Sequence, residues 1–241
     1  MNRISPEHKR WLVVALYAVA MAWVEAAAVY YLRSLIDRIE PYQPGPLPEA
    51  GEFGEAELVR ELATMVMLPA VGWLAGKKAL SRLGYAVFAF GLWDIFYYVF
   101  LRVITGWPRS LLDWDILFLI PLPWWGPVWA PMSIAFLMIL WGTFVTQFER
   151  CFACFGSNWK SLAPGGAGVA LALFVFMADA IRTANKGMDA LRAMLPSGFN
   201  WPLFSIALAL MAWPVVDVAR QVLCARSEVD SQPEQILKTG K

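Results

Sequence analysis

Residues 82–105 read RLGYAVFAFGLWDIFYYVFLRVIT, in which Asp94 is the only charged residue between Arg82 and Arg102. An apolar stretch of this length matches what an α-helix needs to cross a hydrocarbon core about 30 Å thick. A charged side chain at the centre of such a helix costs roughly 2.5–3.5 kcal/mol on insertion scales. We therefore predict a membrane-spanning helix in which Asp94 is paired, hydrated or protonated inside a bundle.

Five further apolar stretches of similar length accompany this one. Hydrophobic residues make up 59% of the chain, charged residues make up 16%, and the mean hydropathy is +0.52. A water-soluble domain of this composition would have too little polar surface to cover itself. The sequence predicts an all-α, polytopic transmembrane bundle of about six spans, at approximately 11–35, 58–76, 82–105, 126–148, 164–184 and 201–223. Residues 1–226 form a single transmembrane domain in this prediction, and residues 227–241 form a flexible cytoplasmic tail.

The distribution of Lys and Arg predicts the orientation. If six spans alternate, the acidic segment between the first two spans lies on one side. Most basic residues near the span ends lie on the other: Arg3, Lys9, Arg10, Lys77, Lys78, Arg82, Arg150, Lys160, Arg220 and Arg226. Arg182, Lys186 and Arg192 weaken this bias. Positive charge accumulates on the cytoplasmic side of membrane proteins. We expect a multi-pass protein of a bacterial-type inner membrane with both termini cytoplasmic. The net charge of +1 offers no basic field for nucleic acid, so no nucleic-acid partner is expected.

The segment WPRSLLDWDILFLIPLPWWGPVWAP, residues 107–131, is too interrupted by proline to form a span. Ser110 followed three residues later by Asp113 resembles the start of a helix, and Pro121 would end that helix after about ten residues. We predict one short interfacial or re-entrant helix over 110–121. The segment would serve either as an interfacial brace or as the lid or wall of a site that opens outward.

The third span carries a polar stripe. Asp94, Tyr98 and Arg102 are spaced by four residues and therefore share one face of the helix. This stripe predicts either an ion pair with another helix or a transport or catalytic site. Gly84 and Gly91 on the same helix would permit close contact with a neighbour.

Other carboxylates fall at compatible depths. Arg33, Arg60 and Arg102 are available to neutralise Glu25, Glu61 and Asp94, although the sequence does not assign partners. The candidates for binding a substrate or protons are Asp94, Glu25, Glu61, Tyr98, Arg102, Asp113, Asp115 and Asp179.

Missing motifs restrict the chemistry. His8 is the only histidine and precedes the first span, which argues against haem and against a multi-histidine metal site in the bundle. No P-loop, dinucleotide-binding glycine pattern or catalytic triad can be assembled. Cys151 and Cys154 form a single CxxC, which is a weak signal, and we interpret them as free thiols. No cofactor and no metal are expected.

The leading functional hypothesis is an inner-membrane protein that binds or translocates a small polar solute or protons through an outward-facing carboxylate and arginine site. In this hypothesis Asp94 is the central group and Arg102 is its counter-ion. The first alternative is a noncatalytic subunit or anchor that holds other membrane subunits. The second is an intramembrane lipid-processing enzyme with Asp113 or Asp115 near the headgroups. Membrane lipids are expected partners in each case, and an enzymatic role is the less favoured reading.

Overall fold

The computed structural model describes residues 5–44, 52–148 and 159–239, and most of them are helical. The helices are α1 (Pro6–Leu35), α2 (Glu52–Ala75), α3 (Ala79–Thr105), α4 (Trp129–Gln147), α5 (Trp159–Thr183), α6 (Met188–Arg192) and α7 (Trp201–Thr239). Six helical segments are long and apolar enough to cross a membrane: Pro6–Leu35, Ala56–Ala75, Ala79–Thr105, Trp129–Gln147, Ser161–Lys186 and Trp201–Cys224. The fifth segment includes the 3-10 turn Ala184–Lys186 that follows α5. The predicted all-α bundle of six membrane-spanning helices is confirmed.

Local interactions explain where the helices begin and end. Ser5 precedes α1, and its side chain accepts a hydrogen bond from the His8 N–H at 3.2 Å. This contact satisfies one of the N–H groups that the first turn leaves without a partner. Helix α3 ends at Gly106, whose φ of 76° is left-handed and therefore favours glycine. Helix α7 continues past its apolar segment and ends at Thr239.

The helices pack in a continuous series. Helices α1 and α2 pack against α3, α3 packs against α4, α4 packs against α7, and α7 packs against α5. The helices α2, α3, α4, α7 and α5 thus form an arc, and α1 packs on α3. We call the end of the bundle at which α1 and α3 end, and at which α2, α4 and α7 begin, the hairpin end.

Helices α3 and α4 approach each other through glycines, as the sequence predicted for Gly84 and Gly91. A Cβ atom placed on Gly91 would lie 2.5 Å from the Ala135 carbonyl oxygen. A Cβ atom on Gly142 would lie 2.6 Å from the Gly84 carbonyl oxygen. The two backbones are therefore nearly in contact, and larger residues at these positions would force the helices apart.

The substitution Gly142→Ala is expected to lower the free energy of unfolding by about 1–3 kcal/mol, because the added methyl group overlaps backbone atoms that cannot rotate away. Thermal unfolding of the purified protein in detergent measures this effect. Gly166→Ala is the matched control, since a Cβ atom at Gly166 meets no atom within 4 Å. Equal melting temperatures for the two variants would contradict the close approach of α3 and α4.

Residues 114–127 form a β-hairpin, so the predicted short helix over 110–121 is wrong. Strands β1 (Trp114–Phe118) and β2 (Trp124–Pro127) pair antiparallel, with Asp115 opposite Gly126. The Asp113 carboxylate accepts hydrogen bonds from the Arg109 and Ser110 N–H groups at 2.7 and 3.2 Å. The residues that resembled a helix start therefore stabilise a turn. The aromatic and β-branched residues that follow the turn favour a strand.

Candidate functional site

A cavity of about 870 Å³ lies inside the arc of helices. Its walls come from α2, α3, α4, α5 and α7, and the hairpin and α1 contribute residues at the hairpin end. Helices α2 and α5 are the two ends of the arc, and within the described residues no extensive packing joins them. The cavity is thus flanked by the two helices that have the fewest neighbours in the arc.

The lining of this cavity changes from charged to apolar along the bundle. The charged lining residues belong to the hairpin-end half: Glu25, Arg33, Arg38, Glu57, Arg60, Glu61, Asp94 and Asp115. The lining toward the opposite end is apolar in the part of the chain that the structure describes: Leu83, Val87, Leu137, Met138, Trp141, Leu162, Val169, Leu173, Met211 and Val215. From Tyr98 to Leu83 along α3 the cavity wall extends about 22 Å at 1.5 Å per residue. The site is therefore amphipathic along its length.

Arg33 and Asp115 form a buried ion pair that joins α1 to the hairpin. The Arg33 Nη2 atom lies 2.7 Å from Asp115 Oδ1, and the side chains are 11% and 1% exposed. The Ile116 N–H also donates to Asp115 Oδ1 at 2.9 Å, and the Arg33 guanidinium packs over the Trp107 ring. Burial raises the pKa of the Asp115 carboxyl, whereas the positive charge of Arg33 acts in the opposite direction.

Arg60 is shared by two carboxylates. Its guanidinium contacts Glu25 on α1 and Glu57 one turn earlier on α2. Thr64, one turn further along α2, donates to Glu25 Oε2 at 3.3 Å. This group joins α1 to α2, and the single guanidinium of Arg60 contacts two carboxyl groups.

Glu61 joins α2 to the hairpin. Both of its carboxylate oxygens accept from the Leu119 N–H, each at 3.2 Å. Arg38 lies on the connection after α1, and its guanidinium donates to the Pro41 and Gln43 carbonyl oxygens at 3.1 and 2.8 Å. The Glu61 contact thus holds helix α2 against the hairpin at the charged end of the cavity. The Arg38 contacts hold the connection after α1 at the same end.

Asp94 carries a polar atom without a partner. Its Oδ2 atom is buried and makes no hydrogen bond to any residue that the structure describes. The indole N–H groups of Trp93 and Trp124, which also line the cavity, lack an acceptor in the same part of the chain. Buried polar groups in folded proteins are nearly always hydrogen-bonded, so unsatisfied groups around a cavity indicate a place for a bound molecule or water.

The structure brings together five of the eight predicted site residues. Asp94, Tyr98, Glu25, Glu61 and Asp115 all line the cavity. Asp113 does not line it, because its carboxylate stabilises the turn before β1. Asp179 lies instead at a separate cavity of about 60 Å³, where it pairs with Arg182 at 3.1 Å.

The prediction that Arg102 is the counter-ion of Asp94 is wrong. Arg102 donates to the carbonyl oxygens of Gly106 and Pro108, beyond the end of α3. A guanidinium in the last turn of a helix is well placed to reach free carbonyl groups, and these compete with the carboxylate two turns earlier. The stripe of Asp94 and Tyr98 therefore lines the cavity without Arg102.

Three features of this cavity were missed from the sequence. These are the pairing of Arg33 with Asp115, the sharing of Arg60, and the inclusion of Glu57 in the site. The spacing of Glu57 and Arg60, three residues apart on one helix, was a usable signal for their pairing. Nothing local in the sequence indicates the contact between Arg33 and Asp115.

Neither similarity to known proteins nor a cluster of metal-binding side chains among the described residues assigns a function to this cavity. The chain matches no protein-family model, and no curated protein or solved structure is significantly similar to it. Among residues 5–44, 52–148 and 159–239, no group of three or more His, Cys, Asp or Glu side chains is arranged to hold a metal ion. The CxxC of Cys151 and Cys154 lies outside these ranges.

Proposed function

We propose that this chain is an integral membrane protein that binds an amphipathic, membrane-soluble molecule. The headgroup occupies the charged half of the cavity, and the hydrocarbon part occupies the apolar half. The observation that supports this proposal is the change of lining from carboxylates and guanidiniums to apolar side chains within one cavity. The proposal keeps the carboxylate and arginine site of the sequence-based hypothesis and replaces the small polar solute with an amphiphile.

The apolar half of the cavity favours this ligand over a small polar solute or protons alone. A polar solute that crossed the bundle would need polar groups along its whole path, since a polar group without a hydrogen bond in an apolar medium costs several kcal/mol. The described lining beyond Asp94 toward the end opposite the hairpin consists of apolar residues, among which Trp141 carries a buried indole N–H with no acceptor in the described ranges. A volume of about 870 Å³ falls in the ordinary range for ligand pockets of proteins.

Filling the apolar half should remove the bound molecule. Leu137→Trp adds bulk to the α4 wall of the cavity, whereas Leu74→Trp on α2 places the same ring on a position that is 85% exposed and outside the cavity. We expect an amphiphile to co-purify with the wild-type protein and with Leu74→Trp. Leu137→Trp should retain about tenfold less of it, which corresponds to roughly 1.4 kcal/mol of binding free energy.

Mass spectrometry of lipids extracted after purification under native conditions measures this occupancy. Thermal unfolding of both tryptophan variants controls for misfolding. Equal amounts of every co-purified lipid in the wild-type protein and in folded Leu137→Trp would rule out the cavity as the binding site. Stoichiometric co-purification of another membrane protein, without any bound amphiphile, would favour the noncatalytic subunit instead.

A second candidate function is chemistry on the bound headgroup. The carboxyl groups of Asp94 and Asp115 both line the charged end of the cavity. Two neighbouring carboxyl groups can divide the roles of general acid and general base. Incubation of the reconstituted protein with a total lipid extract should then produce a new lipid species. An unchanged extract would mean that the protein binds the lipid without altering it.

The proposed orientation places the hairpin end on the outer side, with both termini cytoplasmic. Single cysteines at Gln43 and Gln235, in a protein whose three native cysteines are replaced by serine, test this orientation in intact cells. An impermeant thiol reagent should label the cysteine at 43 and spare the cysteine at 235. Labelling at 235 but not at 43 would reverse the orientation.

A further inference from the structure

We propose that the headgroup of the bound amphiphile is cationic, and that its ammonium group binds beside Asp94. The ligand class is therefore an amphiphilic amine. This inference rests on the proposed function, because it specifies the headgroup of the molecule that the cavity binds.

The balance of charge around the cavity supports a cation. Five carboxylates line it: Glu25, Glu57, Glu61, Asp94 and Asp115. Among the residues that the structure describes, three guanidinium groups line it: those of Arg33, Arg38 and Arg60. Excess negative charge in a medium of low dielectric constant is costly unless a cation or a proton offsets it. An ammonium group supplied by the ligand provides the missing positive charge.

The guanidinium groups are already engaged, which disfavours an anionic headgroup. Arg33 binds Asp115, Arg60 binds Glu25 and Glu57, and Arg38 binds main-chain carbonyl oxygens. A phosphate would have to displace a carboxylate from Arg33 or Arg60, or main-chain carbonyl oxygens from Arg38. An ammonium group needs no such exchange, because Asp94 Oδ2 is a buried acceptor without a partner among the described residues.

Aromatic side chains around Asp94 add to the preference for a cation. Trp93, Tyr97 and Tyr98 line the cavity on the same segment of α3 as Asp94. The faces of aromatic rings attract cations, most strongly where water is excluded. The indole N–H groups of Trp93 and Trp124 are neutral donors, and they suit an uncharged oxygen atom of the ligand.

Three probes with the same alkyl chain test the charge of the headgroup: dodecylamine, dodecanol and dodecyl phosphate. The full chain is reconstituted in nanodiscs of phosphatidylcholine, and binding is followed by tryptophan fluorescence against empty nanodiscs as the control for partitioning. Dodecylamine should bind about tenfold or more tightly than the other two, since a hydrogen bond to a charged group is worth roughly 1.5–3 kcal/mol.

Three variants connect this preference to Asp94. Asp94→Asn should weaken dodecylamine binding about tenfold and leave dodecanol binding unchanged, because it removes the charge and keeps the size. Asp94→Glu should keep the preference for the amine. Asp179→Asn is the matched control, since Asp179 lies outside the cavity, and it should behave as the wild type. If Asp94→Asn does not fold, the selectivity of the wild type and of Asp94→Glu decides the question.

The possible failures are distinguishable. Dodecanol or dodecyl phosphate could bind as tightly as dodecylamine, with Leu137→Trp weakening the binding of all three. That result would overturn the cationic headgroup and leave the proposal of amphiphile binding intact. The same selectivity in wild-type protein and in folded Asp94→Asn would overturn the role of Asp94. If Leu137→Trp weakened the binding of none of the three probes, the result would count against the proposed function itself.

Discussion

Replacing Arg33 by glutamine is expected to lower the free energy of unfolding by about 3–5 kcal/mol at neutral pH. The Arg33 guanidinium lies 2.7 Å from Asp115, and the Asp115 side chain is almost completely buried. Removing one partner of a buried ion pair leaves an uncompensated charge, which costs far more than the net value of the pair. Reversible denaturation in mixed micelles measures the effect.

The stability deficit of Arg33→Gln should shrink as the pH falls. Burial raises the pKa of Asp115, and the Arg33 guanidinium opposes that rise. Without Arg33 the pKa of Asp115 in the folded variant rises further above its value in the unfolded chain. Such a group stabilises the folded state when it is protonated, and this contribution is lost as the pH rises through the folded-state pKa. Stability should therefore improve on the acidic side and worsen toward neutral pH.

Two comparisons separate this effect from general damage. Arg109→Gln removes an arginine that is 74% exposed and pairs with Glu40 at the surface, and it should cost less than about 1 kcal/mol. The double variant Arg33→Gln, Asp115→Asn should regain most of the lost stability, because neither side chain of the pair is then left as an unpaired buried charge. If Arg33→Gln were as stable as Arg109→Gln at neutral pH, the ion pair would not be what holds the hairpin against α1.

The helices were predictable from the sequence, whereas the hairpin was not. A membrane span must satisfy its own backbone hydrogen bonds over a fixed thickness, so length and hydropathy suffice to locate it. The segment around β1 has no such constraint. Ser110 and Asp113 offer the same side-chain hydrogen bonds to a turn as to a helix start. The pairing of Asp115 with Gly126 decides between them, and that contact is not local in the sequence.

The carboxylates of the site were partly predictable, because placing a charged group in the hydrocarbon core of a membrane costs free energy. That cost singled out Glu25, Asp94 and Asp179. Glu25 and Asp94 line the cavity, whereas Asp179 lies at a separate one. The positive partners were not predictable by the same argument. Arginine has a long side chain that reaches carbonyl groups at a helix end as readily as a carboxylate on its own face, as Arg102 does. The partner of Arg33 lies 82 residues away in the sequence.

Replacing Arg60 by glutamine should also destabilise the fold strongly, by about 3 kcal/mol. This value is at the low end of the range for buried pairs, because the Arg60 side chain is 24% exposed. Glu25 and Glu57 would both lose their cation. Glu25→Gln or Glu57→Gln alone should cost less, since Arg60 keeps one carboxylate and the amide remains able to accept a hydrogen bond.

Because Arg60 contacts two carboxyl groups, a variant that removes all three charges serves as the control for this prediction. If Arg60 stabilises the junction of α1 and α2 by serving both carboxylates, then the triple variant that also carries Glu25→Gln and Glu57→Gln should recover most of the stability lost in Arg60→Gln. Arg182→Gln, at an arginine that is 75% exposed and pairs with Asp179, should cost less than about 1 kcal/mol. Denaturation of all five variants in the same micelles compares these values. A triple variant no more stable than Arg60→Gln would mean that lost packing of the Arg60 side chain, and not two unpaired carboxylates, accounts for the destabilisation.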